Sequence, residues 1–491
     1  MTISDYLTEI DRVIENGKYK DNWQSLCRHK APQWYCDSKL GIFIHWGVYS
    51  VPAYGNEWYP RSMYDKSTRE YRHHIKTYGK QSEFGYKDFI PMFKAQEFDP
   101  CAWAELFKKS GAGYVMPVCE HHDGFAMYDT EFNRWNAKNM GPCRDLIGEM
   151  KTAFENEGLV FCASTHRAEH YFFMNMGRTF DSDVSSAEYE DFYGPAYYCR
   201  EFASGIMHIT TGKSDSTPPS QEFLQDWLVR TCELIDKYRP KLLYFDWWIH
   251  NNAFKPYLKK LAAYYYNRAE EWGSEVTINY KHNAFAPGSA TFDVERGALK
   301  DISPVLWQTC TAIAKNSWGY TQNNDFKSAG HIICDLIDIV SKNGRMLLNV
   351  GPRADGTITD EETSVLLEIG KWLDVNGEGI NGTVPWKKFG EGKTNVKEGF
   401  FQDNKEKSYT HRDFRFTYKN GCIYAFWMNP KGTAARIKSL KTVKEDIIVN
   451  SVKMPGSERE LHFVRNKKYM QIDIDSELQG GLPVCFKIEL G

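Results

Sequence analysis

Four hydrophobic runs in this chain end in side chains suited to acid–base chemistry. They are GIFIHWG at 41–47, YVMPVCEHHDGF at 114–125, LVFCASTHRAEH at 159–170 and KLLYFDWW at 241–248. A buried strand has no structural need for histidine or aspartate at its last position, whereas a parallel barrel enzyme builds its active site from the carboxyl ends of its strands. The pattern therefore predicts a parallel β-barrel with a polar site at one end.

Eight strand-like segments recur along the chain, which is the number that a closed (β/α)8 barrel needs. They are 40–46, 113–119, 159–164, 242–247, 275–280, 291–295, 305–310 and 345–350. Amphipathic helical patterns lie between several of them, for example QEFLQDWLVRTCELIDKY, with apolar residues at helical spacing. The intervals after the fifth and sixth strands are too short for a standard helix, so we expect an irregular barrel there.

The sequence pattern of the chain changes after Pro385. Short alternating segments separated by turn residues follow, which is typical of antiparallel β-structure. A chain of 491 residues has room for one large domain and a smaller module. We therefore predict an α/β protein with two units: an irregular (β/α)8-like TIM barrel with a helical lead-in over 1–385, and an antiparallel β-sandwich over 386–491.

Composition and charge limit the partners that we expect. The formal net charge is −3 and the chain has no basic stripe or zinc-finger spacing, so nucleic-acid binding is not expected. No stretch approaches the roughly 18 apolar residues of a membrane span, and the polar amino terminus lacks a secretory signal pattern. Twelve scattered cysteines without a CxxC pair are typical of free thiols in a reducing cytosol. We expect a cytoplasmic protein. The sequence does not decide whether it is a monomer or a homo-oligomer.

Two carboxylates are candidates for catalysis. Asp246 closes the apolar run KLLYF, and an acid at the carboxyl end of a barrel strand is more often catalytic than structural. Glu295, in TFDVERG, is the candidate partner, with Asp293 and Glu270 as competitors. Carboxyl groups about 5–5.5 Å apart would indicate hydrolysis of a glycosidic bond with retention of anomeric configuration. The structural alternative for Glu295 is an ion pair with Arg296 or with a nearby lysine.

Histidines and aromatic residues accompany these acids. His121 and His122 are adjacent, so both enter one pocket only if the strand has ended, and the Asp-Gly pair that follows permits such a turn. Neutral imidazoles donate to and accept from sugar hydroxyls. His45 is followed by Trp46, which would place a similar hydrogen-bond donor beside an aromatic ring. Structural hydrogen bonding to the backbone is the alternative for these histidines.

The segment His166-Arg-Ala-Glu169-His170 fits the H-x-x-E-H pattern of some zinc enzymes. A metalloprotease would carry this motif within a helix and add a distant third ligand, whereas here it follows the strand-like LVFCAST. A zinc hydrolase is thus a disfavoured alternative, and we expect no metal and no cofactor. The G-x-S-x-G and Walker A motifs are absent, which argues against a serine hydrolase and a P-loop NTPase.

Several long segments resemble the α-L-fucosidases of glycoside hydrolase family 29. They are WYCDSKLGIFIHWGVYSVPAYGNEWYPRSMY at 34–64, EHHDGFAMYDTEFNRWNA at 120–137, LLYFDWW at 242–248, WQTCTAIAKNSWGY at 307–320, and MLLNVGPRADGTITDEE with WLDVNGEGINGTVPW within 346–386. The resemblance spans about residues 30–386 in the right order. It implies a (β/α)8-like barrel followed by a β-sandwich, and hydrolysis of terminal α-L-fucosyl bonds with retention and without a metal.

The resemblance also implies roles for individual residues. Asp246 corresponds to the nucleophile of a double displacement, and Glu295 to its general acid/base, which apolar surroundings are expected to keep protonated. The substrate would be a fucosylated oligosaccharide or glycoconjugate. The side chains expected to bind the sugar are His45, Trp46, Glu57, Trp58, His121, His122, His166, Tyr244 and Trp318.

Departures from the family pattern concern the same site. The family often carries Trp-Phe-Asp-Gly at the nucleophile, whereas this chain has Tyr244-Phe245-Asp246-Trp247, so the added indole narrows the pocket or reaches the leaving group. Many members carry Tyr-Tyr-Ser where this chain has Ser164-Thr165-His166, and His166 could replace a tyrosine contact. An α-L-galactosidase or related glycosidase and a non-enzymatic lectin-like protein stay open as alternatives. The linkage preference and the need for a branched substrate also stay open.

Overall fold

The computed structural model describes residues 2–197, 218–394, 396–403, 407–442 and 447–491. Its largest sheet is parallel and closed. The strands of this sheet are β1 (Leu40–Ile44), β2 (Tyr114–Glu120), β3 (Val160–Phe161), β4 (Ala163–Thr165), β5 (Leu242–Phe245), β6 (Thr277–Tyr280), β7 (Thr291–Asp293), β8 (Trp307–Ala312) and β9 (Gly344–Val350). β3 and β4 are two pieces of one predicted strand, and the pairing of β1 with both β9 and β2 closes the ring. The predicted eight-stranded barrel is confirmed.

Helices surround most of the barrel. They are α1 (Ile3–Asn16), α2 (Trp23–Leu26), α3 (Gln33–Asp37), α4 (Tyr59–Ser62), α5 (Arg69–Thr77), α6 (Pro100–Lys109), α7 (Leu146–Asn156), α8 (His170–Phe173), α9 (Glu190–Tyr193), α10 (Gln221–Tyr238), α11 (Lys255–Glu271), α12 (Ala329–Ser341) and α13 (Asp360–Asn376). The β6–β7 and β7–β8 connections contain no helix, as their short lengths predicted. Of the helices described, none is long and apolar enough to cross a bilayer.

The strands are buried on both faces, which explains their nearly continuous apolar sequences. Every residue of β1, β2 and β9 is buried. Successive side chains of a strand point to opposite faces. In β1, Phe43 belongs to the cluster inside the barrel, whereas Ile42 and Ile44 pack in the cluster between the barrel and its helices. This alternation decides which residues after each strand face the interior.

The chain after the barrel forms two antiparallel sheets. Their strands are β10 (Val384–Glu391), β11 (Phe414–Lys419), β12 (Cys422–Trp427), β13 (Lys431–Ile437), β14 (Val449–Lys453), β15 (Phe463–Arg465), β16 (Met470–Gln479) and β17 (Val484–Leu490). The order is β10-β11-β12-β17-β14 in one sheet and β13-β16-β15 in the other. Phe416 and Ile423 of the first sheet share an apolar core with Ile437 and Ile472 of the second. This arrangement is the predicted β-sandwich.

A segment from this second part of the chain, residues 396–403, covers the barrel where helices are missing. Gly399 pairs with Ala298 of the β7–β8 connection, and the Phe401 amide donates to the carbonyl oxygen of Glu295 at 3.0 Å. Phe400 packs against Trp247 with ring centroids 5.4 Å apart. The segment therefore supplies the apolar cover that a helix would otherwise provide, and its main chain also hydrogen-bonds to the β7–β8 connection.

The eleven cysteines within the described residues are all unbridged. The twelfth, Cys199, lies outside the described residues.

A buried charge cluster fixes the sandwich to the barrel. Arg415 of β11 donates from Nε to Asp338 Oδ1 of α12 at 2.6 Å, and Lys342 Nζ lies 2.7 Å from Asp338 Oδ2. All three residues are buried. Burial favours a higher pKa for Asp338, but Lys342 and Arg415 outweigh it and leave the pKa below its ordinary value. The aspartate is thus the counter-charge that both buried cations require.

Replacing Asp338 with asparagine is expected to destabilise the fold by about 3–5 kcal/mol, because two buried cations lose their counter-charge. Urea unfolding of the full chain measures the loss. Asp374→Asn is the matched control, since Asp374 is exposed on the neighbouring α13. A loss for Asp338→Asn no larger than that of the control would show that the cluster does not fix the two parts together.

Candidate active site

The carboxyl ends of the barrel strands surround a cavity of about 370 Å³. It brings together both predicted carboxylates and every predicted sugar contact except Trp46. The lining residues are Phe43, His45, Asn56, Glu57, Trp58, His121, His122, His166, Tyr244, Asp246, Trp247, Lys281, Glu295, Trp318 and Phe401. Strand alternation explains two of these positions, because His45 and Asp246 continue the inward sides that Phe43 and Tyr244 define.

Trp46 lies behind the cavity wall. Its ring packs against aromatic residues of the surrounding layer, with ring centroids 4.9–5.2 Å apart: Phe93, Phe98 and Trp103. Its Nε1 donates to the carbonyl oxygen of Arg353 at 2.7 Å. Since His45 faces inward, the next residue along the chain faces outward. The sugar contact expected of Trp46 therefore has no support from its position, and its ring instead supports the wall.

One ammonium group connects the two candidate catalytic carboxylates. Lys281 Nζ lies 2.7 Å from Asp246 Oδ1 and also contacts Glu295 Oε2. Glu295 Oε2 accepts a second hydrogen bond from Trp247 Nε1 at 2.6 Å. The surroundings of Glu295 are therefore charged and polar on this side, unlike the apolar surroundings expected from the sequence.

Lys281 also sets the charge state of Asp246. Burial on its own would raise the pKa of Asp246, but the charge of Lys281 outweighs it and leaves this pKa below its ordinary value. Burial on its own would lower the pKa of Lys281. The charges of Asp246 and the other nearby acids outweigh this effect and hold the pKa of Lys281 well above its ordinary value. The pair stays ionised at neutral pH, so Asp246 carries the charge that an attacking carboxylate needs.

Two imidazoles are held as acceptors toward the cavity. His122 Nδ1 lies 2.9 Å from the carbonyl oxygen of His166, which can only accept, so Nδ1 donates. Asn349 Nδ2 donates to the Trp318 carbonyl, so Asn349 Oδ1 is the atom that faces His45. His45 Nδ1 therefore donates to Asn349 Oδ1, at 2.6 Å. Burial lowers the pKa of His45 to about 3 and that of His122 to about 4. Both rings are therefore neutral at neutral pH, with the lone pair on Nε2.

An aromatic wall faces these polar groups. Glu57 Oε2 holds the wall by accepting hydrogen bonds from the Trp318 amide at 2.8 Å and from Ser317 Oγ at 2.9 Å. Trp58 packs against Phe173 with ring centroids 5.3 Å apart. A cavity with flat aromatic sides and a few converging polar groups suits a sugar ring, whose C–H faces stack on aromatic planes while its hydroxyls need partners.

Comparison with known proteins identifies the family. The sequence model of the alpha-L-fucosidase family matches residues 6–378. This chain belongs to the alpha-L-fucosidase family. The alpha-L-fucosidase of Dictyostelium discoideum is 30% identical to it over 408 residues, which cover 79% of each chain. The tissue alpha-L-fucosidase of Homo sapiens is 29% identical over 399 residues, or 77% of this chain and 75% of the human one.

Solved structures agree with this assignment. The crystal structure of Thermotoga maritima alpha-fucosidase in complex with fucose is 29% identical in sequence and gives a TM-score of 0.74. The match covers 96% of this chain and 100% of that chain. The protein is thus a glycoside hydrolase of the α-L-fucosidase type, as its sequence motifs predicted.

Lys281 lines the candidate site of this fucosidase, and the sequence analysis did not assign it a role. It directly follows β6, so the rule that polar groups end barrel strands would have selected it.

The other candidate acids lie outside the cavity. Asp293 is buried inside the barrel, where it accepts hydrogen bonds from Gln308 Nε2 at 2.8 Å and from the Tyr244 hydroxyl at 3.2 Å. Tyr244 therefore lines the cavity with its ring only. Glu270 forms an exposed ion pair with Lys18.

The H-x-x-E-H pattern does not assemble a hydrolytic zinc centre. His170 Nδ1 is hydrogen-bonded at 2.9 Å to the carbonyl oxygen of His122, and neither group of potential metal ligands within the described residues includes His170. Glu169 is buried with Oε1 3.7 Å from His122 Nε2. Burial and then the charge of Asp246 raise the pKa of Glu169 well above its ordinary value, which favours a neutral carboxyl group beside the site.

Proposed function

We propose that this fucosidase removes terminal α-L-fucosyl residues from fucosylated oligosaccharides or glycoconjugates by a retaining double displacement. The shared contact with Lys281 is the observation that carries this proposal. Two oxygens that touch one ammonium nitrogen are at most roughly 5 Å apart, as in the carboxyl pairs of retaining glycosidases. Inverting enzymes separate the two groups by roughly 6.5–9.5 Å to admit a water molecule.

In the first step, Asp246 is the nucleophile. Its carboxylate forms an ester bond to C1 of the fucosyl group while the bond from C1 to the leaving oxygen breaks. Glu295 gives its proton to that oxygen. Lys281 and Trp247 both donate to Glu295 Oε2, whereas Oε1 has no hydrogen bond among the described residues. The transferable proton therefore belongs on Oε1.

In the second step, Glu295 is the base. It accepts a proton from water as the water oxygen bonds to C1 and the ester bond to Asp246 breaks. Two inversions at C1 restore the original configuration. The ammonium group of Lys281 stabilises the carboxylate that forms at Glu295 after the first step and the one that returns at Asp246 in the second.

The remaining side chains bind the sugar in this proposal. Nε2 of His45 and Nε2 of His122 accept from fucosyl hydroxyls, because each Nδ1 is already engaged as a donor. Trp58 and Trp318 offer apolar surface to the C–H face of the ring and to its methyl group. These contacts hold the ring while positive charge develops at C1.

Hydrolysis of 4-nitrophenyl α-L-fucoside by the wild type, Asp246→Ala and Glu295→Ala, with and without azide, tests the assignment. The wild type is expected to release 4-nitrophenol. Both variants should lose at least about 10²-fold in kcat/KM, since each lacks a group that takes part in bond making or proton transfer. Azide should give the inverted β-fucosyl azide with Asp246→Ala and the α product with Glu295→Ala. Near-full activity of Asp246→Ala would refute the nucleophile assignment, and faster hydrolysis of the α-L-galactoside would refute the substrate.

Replacing Lys281 with methionine is expected to move the acidic limb of the kcat/KM profile to higher pH. Lys281 lowers the pKa of Asp246, and without it burial is left to raise that pKa, so the nucleophile becomes protonated at a pH where the wild type is ionised. Lys281→Arg keeps the positive charge and is the matched control. An acidic limb that stays in place in Lys281→Met would show that Lys281 does not control the ionisation of the nucleophile.

A further inference from the structure

Three imidazoles converge on the wall of the cavity. His45, His121 and His166 are buried, and each offers one ring nitrogen within 4.8 Å of those of the other two. We propose that these three residues bind one divalent transition-metal ion, and that the ion and the fucosyl group exclude each other. The first part concerns the histidines alone, whereas the second rests on the proposed function.

The ring nitrogens are available for an ion. His45 donates through Nδ1 to Asn349, which leaves the Nε2 lone pair free, and such a hydrogen bond from the second nitrogen is how metal-binding histidines are commonly oriented. His166 is bonded through Nε2 to Ser164 Oγ at 2.7 Å. Nδ1 of His166 and Nδ1 of His121 are buried without a hydrogen-bond partner among the described residues. A bound ion would satisfy buried polar atoms that otherwise cost stability.

The chemistry of the three ligands selects the kind of ion. Imidazole nitrogens suit Zn²⁺, Cu²⁺ and Ni²⁺ rather than Mg²⁺ or Ca²⁺. Zinc–nitrogen bonds of about 2.0–2.1 Å place tetrahedral ligands roughly 3.4 Å apart, so the rings must approach by small side-chain rotations. Burial also lowers the pKa of all three histidines, so protons do not compete for their lone pairs at neutral pH.

A second arrangement of ligands shares one of these histidines. His122, His166 and Asp246 also bring three donor atoms within 4.8 Å. The charge of Asp246 is already matched by Lys281, with Nζ 2.7 Å from Oδ1, so a dication there would be close to a fixed positive charge. The first arrangement contains three imidazoles and no carboxylate, so an ion there does not have to compete with Lys281 for Asp246, and we place the site with His45 and His121.

The position of the site explains why an ion and the sugar would compete. All three histidines line the cavity that contains Asp246. An ion there would take the Nε2 lone pair of His45, which is proposed to accept from a fucosyl hydroxyl, and would fill space that the sugar ring needs. Bound metal is thus expected to inhibit the enzyme rather than to take part in hydrolysis.

Equilibrium dialysis of the metal-free full chain against Zn²⁺, followed by elemental analysis, tests the site without any substrate. One tightly bound Zn²⁺ per chain is expected. His121→Asn and His166→Asn should each weaken binding at least about tenfold, the lower end of losses known for perturbed metal sites. His411→Asn removes an exposed histidine of the sandwich and should change nothing. The exposed thiols of Cys27, Cys101 and Cys143 persist in every variant, so they cannot produce this difference.

The outcomes separate the two parts of the proposal. Absence of stoichiometric Zn²⁺ in the wild type, or unchanged affinity in folded His121→Asn and His166→Asn, overturns the site. Loss of binding in His122→Asn but not in His121→Asn also overturns it, because the ion then lies at Asp246. Saturating L-fucose should release the ion, and unchanged binding refutes mutual exclusion. Hydrolysis of the α-L-fucoside by the metal-free enzyme is measured separately, so an inactive protein that binds Zn²⁺ refutes the proposed function and not the metal site.

Discussion

Closure of the parallel sheet is the constraint on which the rest of this structure depends. Strand β1 pairs with β9 on one side and with β2 on the other, so the carboxyl ends of all strands form one rim. His45 and Glu295, which are far apart in the chain, reach the same cavity for this reason. The helix-free connections around β7 would leave part of the rim uncovered, and residues 396–403 cover it with Phe400 and Phe401. The sandwich that follows the barrel thus contributes to the site through the connection between its strands β10 and β11.

Within this rim, one buried ammonium group contacts both candidate catalytic carboxylates. A carboxylate removed from water without a partner would take up a proton, and Lys281 prevents this at Asp246. The same group contacts Glu295 but leaves one of its oxygens free. The two carboxylates therefore share a cation and still differ in environment: Asp246 Oδ2 is near the neutral rings of His122 and His166, at 3.6 and 3.7 Å, whereas Glu295 is also bonded to Trp247. The proposed mechanism uses this difference, with Asp246 as the nucleophile and Glu295 as the proton donor.

The sequence was sufficient for the barrel and most of the cavity because both follow from local rules. Apolar runs that end in polar residues marked the strands and placed Asp246, His45 and His122 at one rim. The sequence alone could not show whether each side chain points toward the cavity, the barrel interior or the outer layer. Trp46 faces the outer layer because His45 faces inward, and the Tyr244 hydroxyl is turned toward Asp293 in the barrel interior.

Two other features depend on contacts between distant parts of the chain. Lys281 could have been selected by the strand-end rule, but its bridge between two acids depends on how β5, β6 and β7 lie side by side. The cover over the β7 region comes from residues 396–403, about a hundred positions further along the chain. No local pattern in the sequence indicates either pairing, since both depend on tertiary packing.

The most direct test of this account is to trap the covalent intermediate. The enzyme is incubated with 2-deoxy-2-fluoro-α-L-fucosyl fluoride, in which the fluorine slows hydrolysis of the ester, and the intact protein and its peptides are weighed by mass spectrometry. The account predicts one fluorofucosyl group per chain, attached at Asp246 and absent from Asp246→Ala. Attachment at Glu295, or turnover of the reagent with no adduct at any time, would contradict it.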